Sequence, residues 1–411
     1  MFSLMRIVFL AGGFAAVLAA QPYDLLIKGG RVLDPANHVD RIADVAIAQK
    51  KIARVADQIP AADAKKVLDA RGLLVTPGLI DLHAHVFGYE GSIFPDDSAL
   101  PACTTTIVDA GGAGWRTFDE FKVKVIDRSR TRIYAFLNIV GHGMVGPKFE
   151  NDTSDMDAAK TAEKIQQHRG LIVGIKTAHF GRSGWTAIDR SVAAGKMAGV
   201  PVMVDDKITT GSGRASAEKL IEHMRPGDIH THVFNDRQLE VIDRYTGKVQ
   251  PWIWEARKKG VLFDLGHGAG SFLWPVASKA VQDGFFPDTI STDLHESSIM
   301  IQQADMTNCI SKMMHLGMKL EDAIARSTIA PARAIRRQDE IGTLGVGRAA
   351  DVAVLQLQNG VFAFKDAWGK KAVAQRRLDC ALTVRDGAVV HDALGLAYPE
   401  WQKAGNYEVL P

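Results

Sequence analysis

The segment "GLIDLHAHVFG", residues 78–88, is an apolar run that ends in two histidines separated by one residue. Because side chains at positions i and i+2 of a β-strand lie on the same face, His83 and His85 should leave the strand in the same direction. Two imidazoles on one face leave room between them for one shared partner. Histidines with this spacing also occur at the surface in turns, so other parts of the sequence must distinguish the two interpretations.

Short apolar runs recur along the chain, and stretches of helical composition such as "DAAKTAEKIQQH" separate them. We count eight runs: "LLVTPGLIDLHAH", "TTTIVDAGG", "RIYAFLNIV", "LIVGIKTAH", "PVMVDD", "DIHTHVF", "VLFDLGHG" and "TISTDLH". Nearly continuous apolar residues are typical of parallel strands that are buried on both faces. Eight strand–helix repeats predict an α/β fold with a (β/α)8 TIM barrel, which carries its active site at the carboxyl ends of the strands.

The two ends of the chain share a different pattern, with short strands and glycine turns. The segment "ADVAIA" near the amino end is echoed by "ADVAVL" near the carboxyl end. We therefore predict that residues 21–75 and 336–411 pair into one small β-sandwich domain, and that residues 76–335 form the barrel.

Residues 1–20 differ in composition from the rest of the chain. The segment "MFSLMR" carries one positive charge, and "IVFLAGGFAAVLAA" follows it. This pattern is typical of a secretory signal peptide, and it is too short to span a membrane as a stop-transfer helix. We expect cleavage near Ala19 or Ala20 and a periplasmic or secreted protein that is free of the membrane after the signal is removed.

The chain of 411 residues has a formal net charge of +2, and no dense basic run suggests a nucleic-acid partner. The predicted partner is a small-molecule substrate, and the sequence leaves a homo-oligomer open. The three cysteines, Cys103, Cys309 and Cys380, are far apart and odd in number. No disulfide framework is predicted, and each cysteine is expected to be a small buried hydrophobe.

Polar side chains gather at the carboxyl ends of the predicted barrel strands. They are His83, His85, Lys176, Asp205, His232, His267 and Asp293. His83 and His85 could hold one cation. A lysine ammonium beside metal cations would be costly, but reaction of Lys176 with CO₂ gives a carbamate, an anion that can bridge two metals. The alternative is that Lys176 extends to solvent.

The motif "PGLIDLHAH", the residues that end strands four, six and eight, and the closing "GTLGVGRAADVAVL" resemble the amidohydrolase superfamily. "VGIK", "RPGDIHTH", "FDLGHG" and "TISTDLH" further resemble its dihydroorotase-like branch, which includes deacylases and esterases of small acylated acids. The resemblance implies a hydrolase with two divalent metal ions, usually zinc. By this resemblance His83 and His85 bind the first metal, and carboxylated Lys176 bridges both. His232 binds the second metal, and Asp293 binds the first and is the catalytic proton shuttle.

This chemistry is physically consistent. Two neighbouring cations lower the pKa of a bridging water, and one of them polarises the acyl carbonyl. Asp293 would accept the proton of the attacking group and deliver it to the departing nitrogen or oxygen.

The sequence departs from the family pattern at strand five, which normally ends in a histidine that binds the second metal. "PVMVDDKIT" places Asp205 there. Asp205 can be the ligand, because a carboxylate oxygen is an acceptable metal ligand. Alternatively, His179 or His230 substitutes, or the second site is weak. His267 and His295 are expected behind the ligands or facing the substrate.

The sequence also departs from the dihydroorotase pattern, because Phe87 stands where those enzymes usually carry an arginine for the substrate carboxylate. Arg182 or Lys207 is the candidate to bind a carboxylate instead. We predict an exported metal-dependent hydrolase of an amide or ester bond in a small acylated molecule, such as an N-acyl amino acid or an acyl-hydroxy acid. The alternatives are a cyclic-amide hydrolase and a binding protein that has lost catalysis on the same scaffold.

Overall fold

The computed structural model describes residues 21–205, 217–235, 241–243 and 245–405. The predicted signal peptide and Lys207 lie outside the described residues, so both stay predictions. Among the described helices, none is both long and apolar enough to cross a membrane.

The strands and α-helices of the described residues are numbered in chain order. The strands are β1 (Leu25–Asp34), β2 (Val39–Ala48), β3 (Lys51–Ala56), β4 (Val67–Asp69), β5 (Leu74–Pro77), β6 (Leu79–Ala84), β7 (Thr104–Gly114), β8 (Arg132–Asn138), β9 (Ile172–Ala178), β10 (Val202–Asp205), β11 (Ile229–His230), β12 (Leu262–Phe263), β13 (Val352–Lys365), β14 (Lys371–Arg385) and β15 (Ala388–Asp392). The helices are α1 (Pro95–Ser98), α2 (Phe118–Lys124), α3 (Pro147–Glu150), α4 (Ala158–Gln167), α5 (Thr186–Ala198), α6 (Ala217–Glu222), α7 (Pro251–Lys259), α8 (Trp274–Gln282), α9 (Glu296–Gln302), α10 (Met306–His315), α11 (Leu320–Ala325) and α12 (Ile329–Ala334).

Strands β6 to β12 form a parallel sheet in which each strand pairs with the next along the chain. Strands β6, β7 and β9 are buried along their whole length, which explains their continuous apolar character. The sheet curls, and the last predicted strand occupies its seam. Thr289 bridges Asp264 beyond β12, and Leu294 bridges Ala84 of β6, so residues 289–294 close the sheet into the barrel.

Local sequence explains where the barrel helices begin and end. The carboxylate of Asp157 accepts hydrogen bonds from the backbone N–H groups of Ala159 and Lys160, which caps the start of α4. Helix α5 ends at Gly199, whose φ of 71° is the left-handed conformation that glycine adopts without a steric cost.

The two ends of the chain share one mixed sheet of eight strands. Its order is β15-β14-β13-β5-β1-β2-β3, with β4 paired to β1. Strand β13 pairs antiparallel with β5, and this ladder joins the carboxyl-terminal strands to the amino-terminal ones. The predicted sandwich is not confirmed, because the hydrogen-bonded ladder runs continuously through all of these strands. The predicted domain boundaries stay predictions.

The prediction for the cysteines was wrong for two of the three. Cys103, just before β7, and Cys380, in β14, form a disulfide with an S–S distance of 2.15 Å. These residues are 277 positions apart in the sequence, and only the packing of the small sheet against the barrel brings them together. Cys309 is a buried free thiol, as expected.

Candidate metal centre and active site

The histidines of the opening motif converge on an aspartate from the barrel seam. His83 and His85 are buried at the end of β6. The Nε2 atom of His85 lies 2.9 Å from Oδ1 of Asp293, and the Nε2 atom of His83 lies 3.5 Å from the same oxygen. One ligand atom from each residue lies within 4.8 Å of the other two, as in a metal site. Burial opposes ionisation of Asp293, but the neighbouring histidines hold the pKa of its carboxyl well below its usual range.

A hydrogen-bond chain behind His83 fixes the orientation of its ring. Thr231 Oγ1 lies 2.8 Å from Oδ2 of Asp264, to which it donates, and 3.0 Å from Nδ1 of His83. Because the hydroxyl proton goes to Asp264, Nδ1–H of His83 is the donor to Thr231, and Nε2 carries the lone pair. Such outer hydrogen bonds are how proteins orient histidines that bind metals. Burial and the Lys176 ammonium lower the pKa of His83 to about 3, so the ring is neutral.

A second cluster surrounds Asp205 at the end of β10. Its Oδ2 atom lies 3.2 Å from Nε2 of His232, 3.5 Å from Nε2 of His179 and 3.7 Å from Nζ of Lys176. Burial raises the pKa of Asp205, but His232 and Lys176 outweigh it and hold the pKa well below its usual range. Each imidazole is held through its other nitrogen. Nδ1 of His232 lies 2.6 Å from the carbonyl oxygen of Gly266, and Nδ1 of His179 lies 3.2 Å from Oε2 of Glu150.

Lys176 lies between the two clusters. Its side chain is fully buried, and Nζ is 3.0 Å from Nε2 of His83. The alternative in which this lysine extends to solvent is therefore wrong. Its amine donates toward atoms that the sequence predicted to be metal ligands.

The backbone is strained at three residues of these clusters. His179, His232 and Asp293 have φ values of 55°, 65° and 49°, in the left-handed region that non-glycine residues rarely adopt. Such conformations cost on the order of 1–3 kcal/mol each and persist where the surrounding structure imposes them. At Gly268, whose φ is 55°, a Cβ atom would lie 2.5 Å from Oδ2 of Asp293, so any larger residue there would displace this carboxylate.

The two clusters face a common cavity of about 190 Å³. Its described lining is His85, Tyr89, His179, Asp205, His232, Ala269, Gly270, Ser271, Asp293 and His295. A second cavity of about 760 Å³ shares Tyr89, His179 and His295 with the first, and Glu90, Glu150 and Glu296 also line it. The three shared side chains therefore lie where the two cavities meet.

The remaining predicted residues lie at different depths around the two clusters. His295 lines both cavities, and its Nδ1 lies 2.7 Å from the backbone oxygen of Asp293. His267 is fully buried and is not among the described residues that line the inner cavity. His230 is buried with its ring 5.9 Å from that of Phe263. Arg182 is exposed, and the described contacts of the two clusters do not include it.

Several buried acids that support the site were not singled out in the sequence. Asp81 accepts hydrogen bonds from the backbone N–H groups of His83 and Thr292, and Asp109 accepts one from Val86. These bonds fix the backbone around the two histidines, and burial raises the pKa of Asp81 and of Asp109 to about 7. Asp264 supports His83 through Thr231. The available signal was an aspartate inside an otherwise apolar run, as in "LIDLHAH", "TIVDAGG" and "LFDLGHG".

Comparison with known proteins places the chain in a family. The profile of the Amidohydrolase family matches residues 274–387. A deacetylase of Agrobacterium fabrum is 32% identical over 339 residues, which cover 78% of this chain and 79% of the relative. The chain belongs to the amidohydrolase superfamily. A deacetylase of Enterococcus faecalis is 29% identical over 89% of this amidohydrolase and 99% of its own length.

Solved structures agree with this assignment. An adenine deaminase superposes with a TM-score of 0.83 at 28% identity and covers 90% of this chain and 100% of its own. A dihydroorotase superposes with a TM-score of 0.78, also at 28% identity, and covers 90% of this chain and 99% of its own. This amidohydrolase is therefore an enzyme, a hydrolase that acts on carbon–nitrogen bonds. Members of the family generally bind divalent metal ions, and the group of His83, His85 and Asp293 offers the nitrogen and oxygen donors that such ions accept.

Proposed function

We propose that this amidohydrolase removes the acyl group from a small acylated molecule by hydrolysis of an amide or ester bond, with two divalent metal ions, zinc in the first instance. The observation that carries the proposal is the pair of neighbouring clusters on one cavity. Imidazole and carboxylate donors are the ligands that zinc takes at catalytic sites. The relatives named deacetylases support acyl transfer to water as the reaction.

The residues divide between the two metals as follows. His83, His85 and Asp293 would hold the first ion, and Asp205 and His232 would hold the second. Divalent ions in these positions would supply an acidified water and a polarised acyl carbonyl. Nδ1 of His232 is fixed by the carbonyl oxygen of Gly266, so its Nε2 is already directed at the second position.

Carboxylation of Lys176 is part of the proposal. A buried ammonium between two groups of metal ligands would repel the cations bound there. A carbamate at the same position is an anion, and its two oxygens would offer one donor to each metal. The distances of Nζ to Nε2 of His83 and to Oδ2 of Asp205, 3.0 and 3.7 Å, support a bridging position.

Asp293 moves the proton. Its Oδ1 faces the two histidines, and the residue lines the cavity where the acyl group would bind. Its pKa, held well below the usual range, keeps the carboxylate ionised, and an ionised carboxylate in this position can accept a proton from the attacking water. It would then deliver that proton to the departing nitrogen or oxygen.

The location of the enzyme is also a proposal: the periplasm or the extracellular space. The composition of residues 1–20 supports export, and so does the disulfide between Cys103 and Cys380, because disulfides persist in oxidising compartments and are rare in the cytosol. The proposed partner is a small molecule, not nucleic acid.

The test is a substrate screen with metal analysis on the same preparation. Turnover of N-acetyl amino acids or aryl acetates with two metals per chain supports the proposal. Turnover confined to dihydroorotate or hydantoins favours the alternative of a cyclic-amide hydrolase, the class of the dihydroorotase neighbour. Turnover confined to adenine favours the deamination named for the other neighbour. A metal-free protein that binds acylated acids without turnover would instead be a binding protein on this scaffold.

A further inference from the structure

A second buried lysine lies away from the two metal-ligand clusters. Lys312, on α10, is fully buried, and its ammonium has three hydrogen-bond acceptors. They are Nε2 of His267 at 2.7 Å, Oε1 of Gln302 at 3.4 Å and the backbone oxygen of Lys365 at the end of β13. The ring of Phe272 lies 4.7 Å from the same nitrogen. Burying an ammonium is costly unless each donor is satisfied, so this arrangement requires an explanation.

The bonds that begin at Lys312 end on two backbone carbonyls. Lysine only donates, so Nε2 of His267 accepts, and the ring proton is on Nδ1, which lies 3.1 Å from the carbonyl oxygen of Gly268. Because Oε1 of Gln302 faces Lys312, its Nε2 is free to donate to the oxygens of Gly268 and Ala269, at 2.9 and 2.8 Å. One ammonium thus fixes both the tautomer of His267 and the orientation of Gln302.

These carbonyls belong to a loop that touches the proposed proton carrier. The backbone N–H groups of His267 and Gly268 donate to the carbonyl oxygens of Ser291, at 3.2 Å, and Thr292, at 2.9 Å, the two residues that directly precede Asp293. Ala269 and the two residues after it line the inner cavity, which both clusters face. The position of this loop therefore fixes the backbone that carries the Asp293 carboxylate.

We infer that Lys312 is a positioning residue that acts through His267 and Gln302 to hold the loop 267–271 against Asp293. Through the backbone oxygen of Lys365, the same ammonium ties this loop to the small sheet. The catalytic part of the inference rests on the proposed function.

The first test compares Lys312→Met and Gln302→Leu with the matched control Lys365→Met. The control removes an exposed cation and leaves the backbone acceptor in place. Misplacement of reacting groups by about 1 Å can cost on the order of 10²-fold in rate. We expect kcat to fall roughly tenfold or more in the first two variants, with KM changed less than about threefold and two metals per chain retained. The control should match the wild type in kcat and KM.

A double-mutant comparison separates positioning from general destabilisation. If Lys312 acts through Asp293, then adding Lys312→Met to Asp293→Asn should cause no further fall in the residual kcat. The inference is overturned if Lys312→Met lowers kcat by the same factor in the Asp293→Asn background as in the wild type. It is also overturned if both single variants keep the wild-type kcat. Gln302→Leu keeps the test available if Lys312→Met does not fold.

Amide hydrogen exchange provides a readout that needs no turnover. Peptides spanning residues 264–273 should exchange faster in Lys312→Met and Gln302→Leu than in the wild type or in Lys365→Met. Unchanged exchange in both variants would overturn the inference that Lys312 holds the loop 267–271. A third outcome is possible, in which the two variants exchange faster at this loop and the wild type hydrolyses none of the substrates. That outcome would refute the proposed function and still support the role of Lys312 in holding the loop.

Discussion

Replacement of Cys103 and Cys380 by alanine tests how strongly the small sheet is fastened to the barrel. The disulfide closes a loop of 277 residues, so the unfolded chain without it gains a large conformational freedom. The chain-entropy relation gives roughly 5–6 kcal/mol at 25 °C for a loop of this length, while removal of native disulfides typically costs about 2–5 kcal/mol. We expect a loss of about 4 kcal/mol in the free energy of unfolding.

The corresponding fall in Tm follows from the length of the chain. At about 2.1 cal/mol/K per residue, a chain of 411 residues has an unfolding entropy near 0.9 kcal/mol/K, so a loss of about 4 kcal/mol lowers Tm by about 5 °C. Calorimetry of the double variant and of the wild type with and without dithiothreitol measures this shift. The double variant should no longer respond to the reductant.

The matched control is Cys309→Ala, which removes the buried free thiol and leaves the disulfide intact. This variant should keep the full response to dithiothreitol. Peptide mapping under non-reducing conditions should find residues 103 and 380 in one linked pair. Three free thiols per chain in protein recovered from an oxidising compartment, or equal Tm values with and without reductant, would refute the reasoning.

Three further predictions concern the proposed metal centre. Asp293→Asn should keep the fold but lose about 10²-fold or more in kcat, because the carboxylate that carries the proton is gone; steady-state kinetics at full metal occupancy would show an unchanged kcat if it has no such role. Lys176→Ala should be inactive and partly rescued by a short carboxylic acid, and metal-free wild type should regain activity faster with zinc plus bicarbonate than with zinc alone; full activity of the variant without additives would contradict carboxylation. Asp205→Ala should bind one metal per chain, whereas Asp205→His should bind two and reach full activity at lower pH, because a neutral ligand leaves the centre more positive; two metals and normal turnover in Asp205→Ala would make His179 the next candidate.

The sequence predicted the barrel and the meeting of the site residues because strand period and strand ends are local properties. A histidine pair at positions i and i+2, and an aspartate at the end of the last run, need only the rule that parallel strands end at one face. That rule brings His83, His85 and Asp293 together, and it also places Asp205 beside His232 at the ends of neighbouring strands.

Contacts that depend on packing between distant segments were beyond the sequence. Nothing local to Cys103 indicates Cys380, and nothing in "MTNCISKMMH" indicates that Lys312 is buried against His267. The sequence also did not show that Glu150 holds His179, because Glu150, at the end of α3, belongs to a different strand–helix unit. The odd number of cysteines did not indicate whether a disulfide forms, because a count of residues carries no information about the distances between them in the fold.

The ladder between β5 and β13 has a consequence for how the protein can be made. During synthesis the amino-terminal strands emerge first, and β5 keeps one unpaired edge until the residues from 352 onward have left the ribosome. An exposed strand edge is a template for pairing with other chains. A shortened gene that stops after the barrel would therefore encode every residue of the two clusters and still yield aggregates, so the barrel is not expected to be obtainable as a smaller catalyst.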